Sequence, residues 1–203
     1  MYETLEWCLT YICQNSHITK VCSAAYYHLR NICRIRNLLI LDSAKSITHT
    51  FVTARLDYCN SLMFGSPPSQ KLQRVQNMAA KMVSRKKKFD HVTPIFKFLH
   101  WLPVEYHIQF KVLLLTFRAM NGIAPQHLTD IISTHQPRQL LRNSHALELN
   151  IPKSRLRSAG DRTFSLQAAS LWHQLPADIR NLNELSLFKS KLKHTYFRKH
   201  LIV

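Results

Sequence analysis

The chain has 203 residues, 28 of them Lys or Arg against 11 Asp or Glu, which leaves a formal charge of +17 at neutral pH. An apolar fraction of 46% excludes a disordered chain, and only three glycines argue against an all-β or linker-rich design. Such a basic balance points to a nucleic-acid partner or an anionic membrane surface, and no apolar run approaches the ~18–20 residues a spanning helix requires. No signal peptide is evident at the N-terminus. Five cysteines, an odd number set mostly in helical patterns, read as reduced thiols of an intracellular protein, nuclear or cytoplasmic and not secreted.

Residues 1–16 are apolar without a clean period or cap. Ser16 is placed to cap a helix over 17–37, with Ile18, Val21, Cys22, Ala25, Leu29, Ile32 and Cys33 as its buried stripe and Lys20, Arg30 and Arg34 off it. Asp42 or Ser43 can cap a second helix reaching about residue 62, aligning Ile47, Phe51, Ala54, Tyr58 and Leu62. Gly65 and the pair Pro67-Pro68 end it.

The stretch 71–88 carries the plainest signal. Leu72, Val75, Ala79, Met82 and Val83 recur at helical spacing, while Lys71, Arg74, Lys81, Arg85 and Lys88 fall on the other side. Seven basic residues and no acidic one occur there, Lys86 and Lys87 completing the set. Solvated helices normally mix signs one turn apart. A one-sign face over an apolar seam fits a polyanion laid against it, and the run 85–88 also fits a nuclear-import signal.

Asp90 or Thr93 is expected to cap a short helix with Pro94 near its start, and Trp101-Leu102-Pro103 to turn the chain into a helix ending at Asn121-Gly122. Within it, 108–117 (IQFKVLLLTF) is apolar almost all round, the mark of a central buried helix. Pro125 opens a short helix to about residue 132. Residues 133–163 then gather turn formers and Arg138, Arg142, Lys153, Arg155, Arg157 and Arg162, with one short strand in 146–151. A helix over 164–172, a small one after Pro176 and a last one capped by Ser186 complete the chain. On the last, Leu187, Phe188, Leu192 and Tyr196 face inward and Lys189, Lys193 and Lys199 outward. The class is mainly α, in three segments: 1–16 divergent, 17–133 helical, and 134–203 basic with a short strand and a terminal amphipathic helix.

In order, KVCSAAYYHLRNICRIRNLL (20–39), ARLDYCNSLMFG (54–65), KLQRVQNMAAKMV (71–83), FDHVTPIFKFLHWLPVEYHIQFKVLLLTFRAMNGIAP (89–125), SRLRSAGDRTFSLQAASLWHQLPADIR (154–180) and SLFKSKLKHTYF (186–197) resemble one family. It is the C-terminal part of the reverse transcriptase of non-LTR retrotransposons (LINEs), of the jockey and chicken-repeat type. The resemblance implies that 17–133 corresponds to a helical thumb and the rest to the segment beyond it. The thumb would grip template–primer RNA/DNA through the backbone, without reading sequence. Lys71, Arg74, Lys81 and Arg85 to Lys88 would supply phosphate contacts, with Arg155, Arg157 and Arg162 as a second cluster.

The same resemblance says what is missing. A palm needs paired carboxylates to hold two divalent metals. Here no Asp-Asp occurs, and no two acidic residues lie closer than three positions. Asp57 is a lone carboxylate, expected to pair with Arg55 or Lys45. A truncated or degenerate reading frame that does not polymerise is the expectation: not an enzyme, with no metal, cofactor or small-molecule substrate. Cys8, Cys13, His17, Cys22, His28, Cys33 and Cys59 match no zinc spacing, and Cys22 and Cys33 read better as small buried hydrophobes. Trp101 and Trp172 read as packing anchors rather than base-stacking platforms. Two other readings stand beside this one, a non-functional remnant and a helical protein-interaction adaptor.

Overall fold

The computed structural model describes residues 2–57, 69–132, 149–151 and 163–201, and it is mainly α. The chain divides into two compact units, Met1–Ile108 and Gln109–Val203. In the first, α1 runs unbroken over Tyr2–Ile35. Ser16 therefore lies inside a helix and caps nothing, a correction to the expected start at residue 17. Among the described side chains of α1, the buried apolar positions are Ile18, Cys22, Ala25, Leu29 and Ile32. Their alternating spacing of four and three keeps one seam facing the partner helices. Cys33, expected on that stripe, is exposed. The next seam position is Arg36, which opens a 3-10 turn, Arg36–Leu38, and is buried at 7% exposure.

The second helix departs from expectation in its cap and in its register. Helix α2, Leu41–Thr48, starts from Ile40, which offers no side-chain cap. Asp42 sits in its first turn and pairs with Lys45 at 3.6 Å. A π-helical turn, His49–Thr53, then leads into α3, Ala54–Asp57. The buried residues are Ala44, Thr48, Val52 and Leu56, whereas Phe51 and Ala54 of the expected stripe are exposed. Steps of four drift about 40° each on an ideal α-helix. The wider π turn takes up that drift and holds the four side chains in line. Tyr58 and Leu62 lie outside the described residues.

Helix α4, Ser69–Val83, buries Leu72, Val75, Gln76, Ala79, Ala80 and Val83. Two short segments follow within this unit: α5, Thr93–Leu99, and the start of α6, Val104–Met120. Neither proposed residue caps α5: Thr93 is its first helical residue and Asp90 turns back to accept the Lys87 backbone N–H at 2.8 Å. Pro94 stands in its first turn as expected. Val104 and Ile108 of α6 join α1, α3 and α4 in one apolar core, with Trp101 packed at its edge.

Three helices end in the same left-handed cap. In each, the amide after the left-handed residue bonds five residues back: Lys86 to Lys81, Trp101 to Phe96 and Ile123 to Arg118. Gly122 (φ 67°) was legible as such a cap, but Arg85 (φ 52°) and His100 (φ 55°) fill the same role with side chains.

In the second unit α6 buries Val112, Leu113, Thr116, Phe117 and Ala119, which accords with its nearly all-apolar sequence. Helix α7, Gln126–Thr129, is shorter than expected. Helix α8, Phe164–His173, and α9, Ala177–Arg180, stand where the sequence placed them. Helix α10, Leu185–Leu201, starts before Ser186, so that serine is not its cap; its hydroxyl donates to Glu184. Phe188 anchors this unit, stacking on Phe117 at 4.3 Å between centroids and on Trp172 at 5.9 Å. Leu192 and Tyr196 are buried beside it on α10, but Leu187, expected inward, is 47% exposed. Lys189 and Lys193 face out as expected; the Lys199 side chain lies outside the described residues. Most of the strand expected over 146–151 also lies outside them, and Leu149 forms only an isolated bridge.

Candidate nucleic-acid interface

Helix α4 has two sides with different work. On its buried side, two glutamines lock the start of α6. Gln73 Oε1 accepts the Val104 N–H at 2.8 Å, and Gln76 Nε2 donates to the Leu102 carbonyl at 2.8 Å. The first amide of α6, which no carbonyl of its own helix can satisfy, thus finds a partner. Gln73 Nε2 in turn donates to Asn77 Oδ1 at 2.8 Å. This polar clamp fixes α4 about its own axis. Its outer side is thereby set: Lys71 and Arg74 are exposed, with Met78 between them and the helix end. Lys71, Arg74, Met78 and Lys81 fall within an arc of about 80° at 100° per residue.

The C-terminal end of α4 is built by two arginines. The buried Arg36 guanidinium donates to the Val83 carbonyl through Nε at 3.2 Å and Nη2 at 2.5 Å, and to the Leu39 carbonyl through Nη1 at 2.8 Å. A cation there also meets the negative end of the helix dipole. Burial pulls this guanidinium below its ordinary pKa, and the neighbouring Arg85 acts in the same direction. Arg85 reaches the other way, Nη2 donating to the Arg36 carbonyl at 3.2 Å and the Asn37 carbonyl at 3.3 Å. The two side chains cross-tie the end of α1 to the end of α4.

The seven basic residues of 71–88 therefore do not form one uniform patch. Lys71, Arg74, Lys86, Lys87 and Lys88 are exposed. Lys81 is half-buried and its Nζ donates to the Lys88 carbonyl at 2.5 Å, closing the loop 84–88 back on the helix. Arg85, though exposed, is held by the α1 carbonyls. These two shape the loop that presents the other cations. Arg155, Arg157 and Arg162 lie outside the described residues.

Beside this loop opens a cavity of about 580 Å³, lined by Ser84, Lys86, Asp90, His91, Pro94, Ile95 and Phe98. Two aromatic rings stand out near it. Phe89 is 90% exposed, with Lys88 Nζ 5.9 Å from its ring centroid. Phe98 is 59% exposed, with Lys45 Nζ 5.6 Å from its centroid. Sequence reasoning passed over both phenylalanines and took Lys45 only as a partner for Asp57. A signal existed for Phe98: it falls off the α5 stripe of Ile95, Phe96 and Leu99, so a large apolar side chain occupies an outward position. Phe89 follows directly on the basic run, inside a turn.

Asp57 Oδ1 lies 2.9 Å from Nδ1 of His107, tying α3 to the first turns of α6. The two tryptophans pack as expected, Trp172 at 1% exposure. Among the described residues no three His, Cys, Asp or Glu side chains cluster as metal ligands, and no helix is long and apolar enough to cross a membrane. No family model, curated protein or solved structure matches the chain.

Proposed function

We propose that this chain is a non-catalytic part of a non-LTR retrotransposon reverse transcriptase, its thumb and post-thumb region, which binds template–primer RNA/DNA through backbone phosphates without reading sequence. The observation that carries the reading is the outer side of α4 and the loop after it. Five exposed cations, Lys71, Arg74, Lys86, Lys87 and Lys88, stand there with no acidic residue between the first and the last. The helix is held in rotation by Gln73 and Gln76, so Lys71 and Arg74 keep a fixed bearing. The mainly helical architecture and the ordered sequence blocks add support. The chain contains no paired aspartates of the kind a polymerase palm uses to hold metals, so on this reading it grips nucleic acid and performs no synthesis.

Filter binding to an RNA–DNA hybrid at two salt concentrations tests the reading. Affinity that falls steeply with salt is the expected result, because phosphate contacts release counterions. Charge reversal at Lys71 and Arg74 should weaken binding to every sequence alike. No affinity, or affinity indifferent to salt, would leave the remnant or adaptor reading in its place. Primer extension by the pure protein with Mg²⁺ or Mn²⁺ would overturn the non-catalytic part.

A further inference from the structure

Phosphate contact explains the cations of the 84–88 loop but not what surrounds them. An exposed phenylalanine loses the free energy that burying it would gain, and two stand here, Phe89 and Phe98, each with a lysine ammonium within 6 Å of its ring. Between the loop and α5 lies the 580 Å³ cavity, large enough for a nucleotide-sized group. We infer that Phe89, Phe98 and this cavity form a subsite for unpaired bases of a single-stranded nucleic acid, whose phosphates lie along Lys86, Lys87 and Lys88. The inference rests on the nucleic-acid reading above and extends it from duplex backbone to single strand.

Three features favour a base over other occupants. Interleaved aromatic and cationic side chains are what a single strand needs, since every base has a face to stack and a phosphate beside it. The cavity wall is not purely cationic: Asp90 lines it. A bare phosphate or an anionic headgroup would be repelled by that carboxylate, whereas the exocyclic amino group of a base can donate to it. The Ser84 hydroxyl, also in the wall, has no hydrogen-bond partner among the described residues and can serve a base edge. The turn is moreover fixed in place. Asp90 Oδ2 holds the Lys87 N–H, and the Asp90 N–H donates to the Lys87 carbonyl at 3.2 Å, which sets Phe89 at the tip.

The test uses the full chain and short DNA or RNA strands carrying 2-aminopurine, whose fluorescence falls when it stacks, beside the same sequence as a closed duplex. Wild type should quench the single-stranded probe. Phe89→Ala and Phe98→Ala should each weaken single-strand binding by about tenfold or more and leave duplex binding within about twofold. Phe89→Trp should keep or improve it. Asp90→Asn would also loosen the turn, so the aromatic variants decide. Single-strand affinity unchanged in both alanine variants, or single-strand and duplex affinity falling together, would overturn the inference while duplex binding stands. Vesicles containing phosphatidylserine form a further arm. If the alanine variants lose vesicle binding and keep oligonucleotide binding, the rings serve a lipid surface and the inference fails. Failure of the broader reading looks different: no salt-dependent binding to either nucleic acid.

Discussion

Arg36 is the residue whose role least resembles its chemistry. A buried guanidinium is costly unless its donors are used, and here they are spent on backbone carbonyls at a helix end. Arg36→Ala would strand the Val83 and Leu39 carbonyls together. A loss of about 2–4 kcal/mol is expected in urea unfolding, because bonds to a charged group contribute more than neutral ones. Arg36→Lys should recover part of it: the charge remains at the helix C-terminus, but the planar fork that spans the carbonyls does not. Equal losses in the two variants would mean that the fork, not the charge, supplies all of the effect. In the second unit Tyr196 makes a pH prediction. Burial pushes its phenol up to about 12 from an ordinary value near 10. The unfolded chain therefore loses this proton first as pH rises. The contribution of the buried phenol is complete below pH 10 and disappears between about pH 10 and 12. At the nominal shift this amounts to about 2–3 kcal/mol. Alkaline unfolding monitored by circular dichroism should show that loss in wild type, and Tyr196→Phe should remove this component from the pH profile.

At the scale of elements, the π turn between α2 and α3 makes the sharpest claim. Its seam, Ala44, Thr48, Val52 and Leu56, advances in steps of four. Deleting Thr50, an exposed residue inside the turn, would bring the last two to steps of three and four, the ordinary α pattern. The seam then survives without the π turn. The deletion should fold and lose only about 1 kcal/mol, in part from the bond of Thr50 Oγ1 to the Ser46 carbonyl. Deleting the equally exposed Arg74 should not be tolerated. It would rotate Val75, Ala79 and Val83 by about 100° relative to the clamp at Gln73. Thermal melts of the two deletions should therefore differ, one cooperative and one not. This seam also shows where sequence reading stops. A regular period revealed α4, because an apolar stripe at 3.6 residues has one physical solution, while α6 was legible from an apolar run almost all round. The α2 stripe was read out of register, by one residue at Ile47 and Phe51 and by two at Ala54, since a period of four is not a pattern an α-helix keeps. Non-glycine left-handed caps at Arg85 and His100 carry no compositional mark. The basic face was legible because charge patterning is local. The division of labour within it was not, because the carbonyls that hold Arg85 belong to residues 36 and 37, far away in sequence.

For the whole molecule, on the nucleic-acid reading proposed above, the question is how much of the +17 charge acts at one surface. Counterion release gives a slope of log affinity on log salt of about −0.9 for each phosphate neutralised on duplex DNA. If all seven cations of 71–88 met phosphate, the slope would approach about −6. The structure assigns two of them elsewhere: Lys81 closes the loop and Arg85 ties α4 to α1. The remaining five predict a contribution nearer −4 to −5 on duplex DNA, to which cations outside the described residues would add. Substitution separates the two groups. Lys71→Gln or Lys87→Gln should flatten the slope by about 1 with no change in unfolding midpoint. Lys81→Met should act mainly on stability, lowering the midpoint while the slope shifts by less than half as much. Affinity at one salt concentration would not distinguish these variants, since a loosened loop and a missing phosphate contact both weaken binding. Only the slope counts ions. If Lys81→Met flattened it as fully as Lys71→Gln does, the Lys88 carbonyl would be giving up its lysine when nucleic acid arrives. The loop would then rearrange on binding, and the bound contact surface would include more of the basic run than the free protein presents.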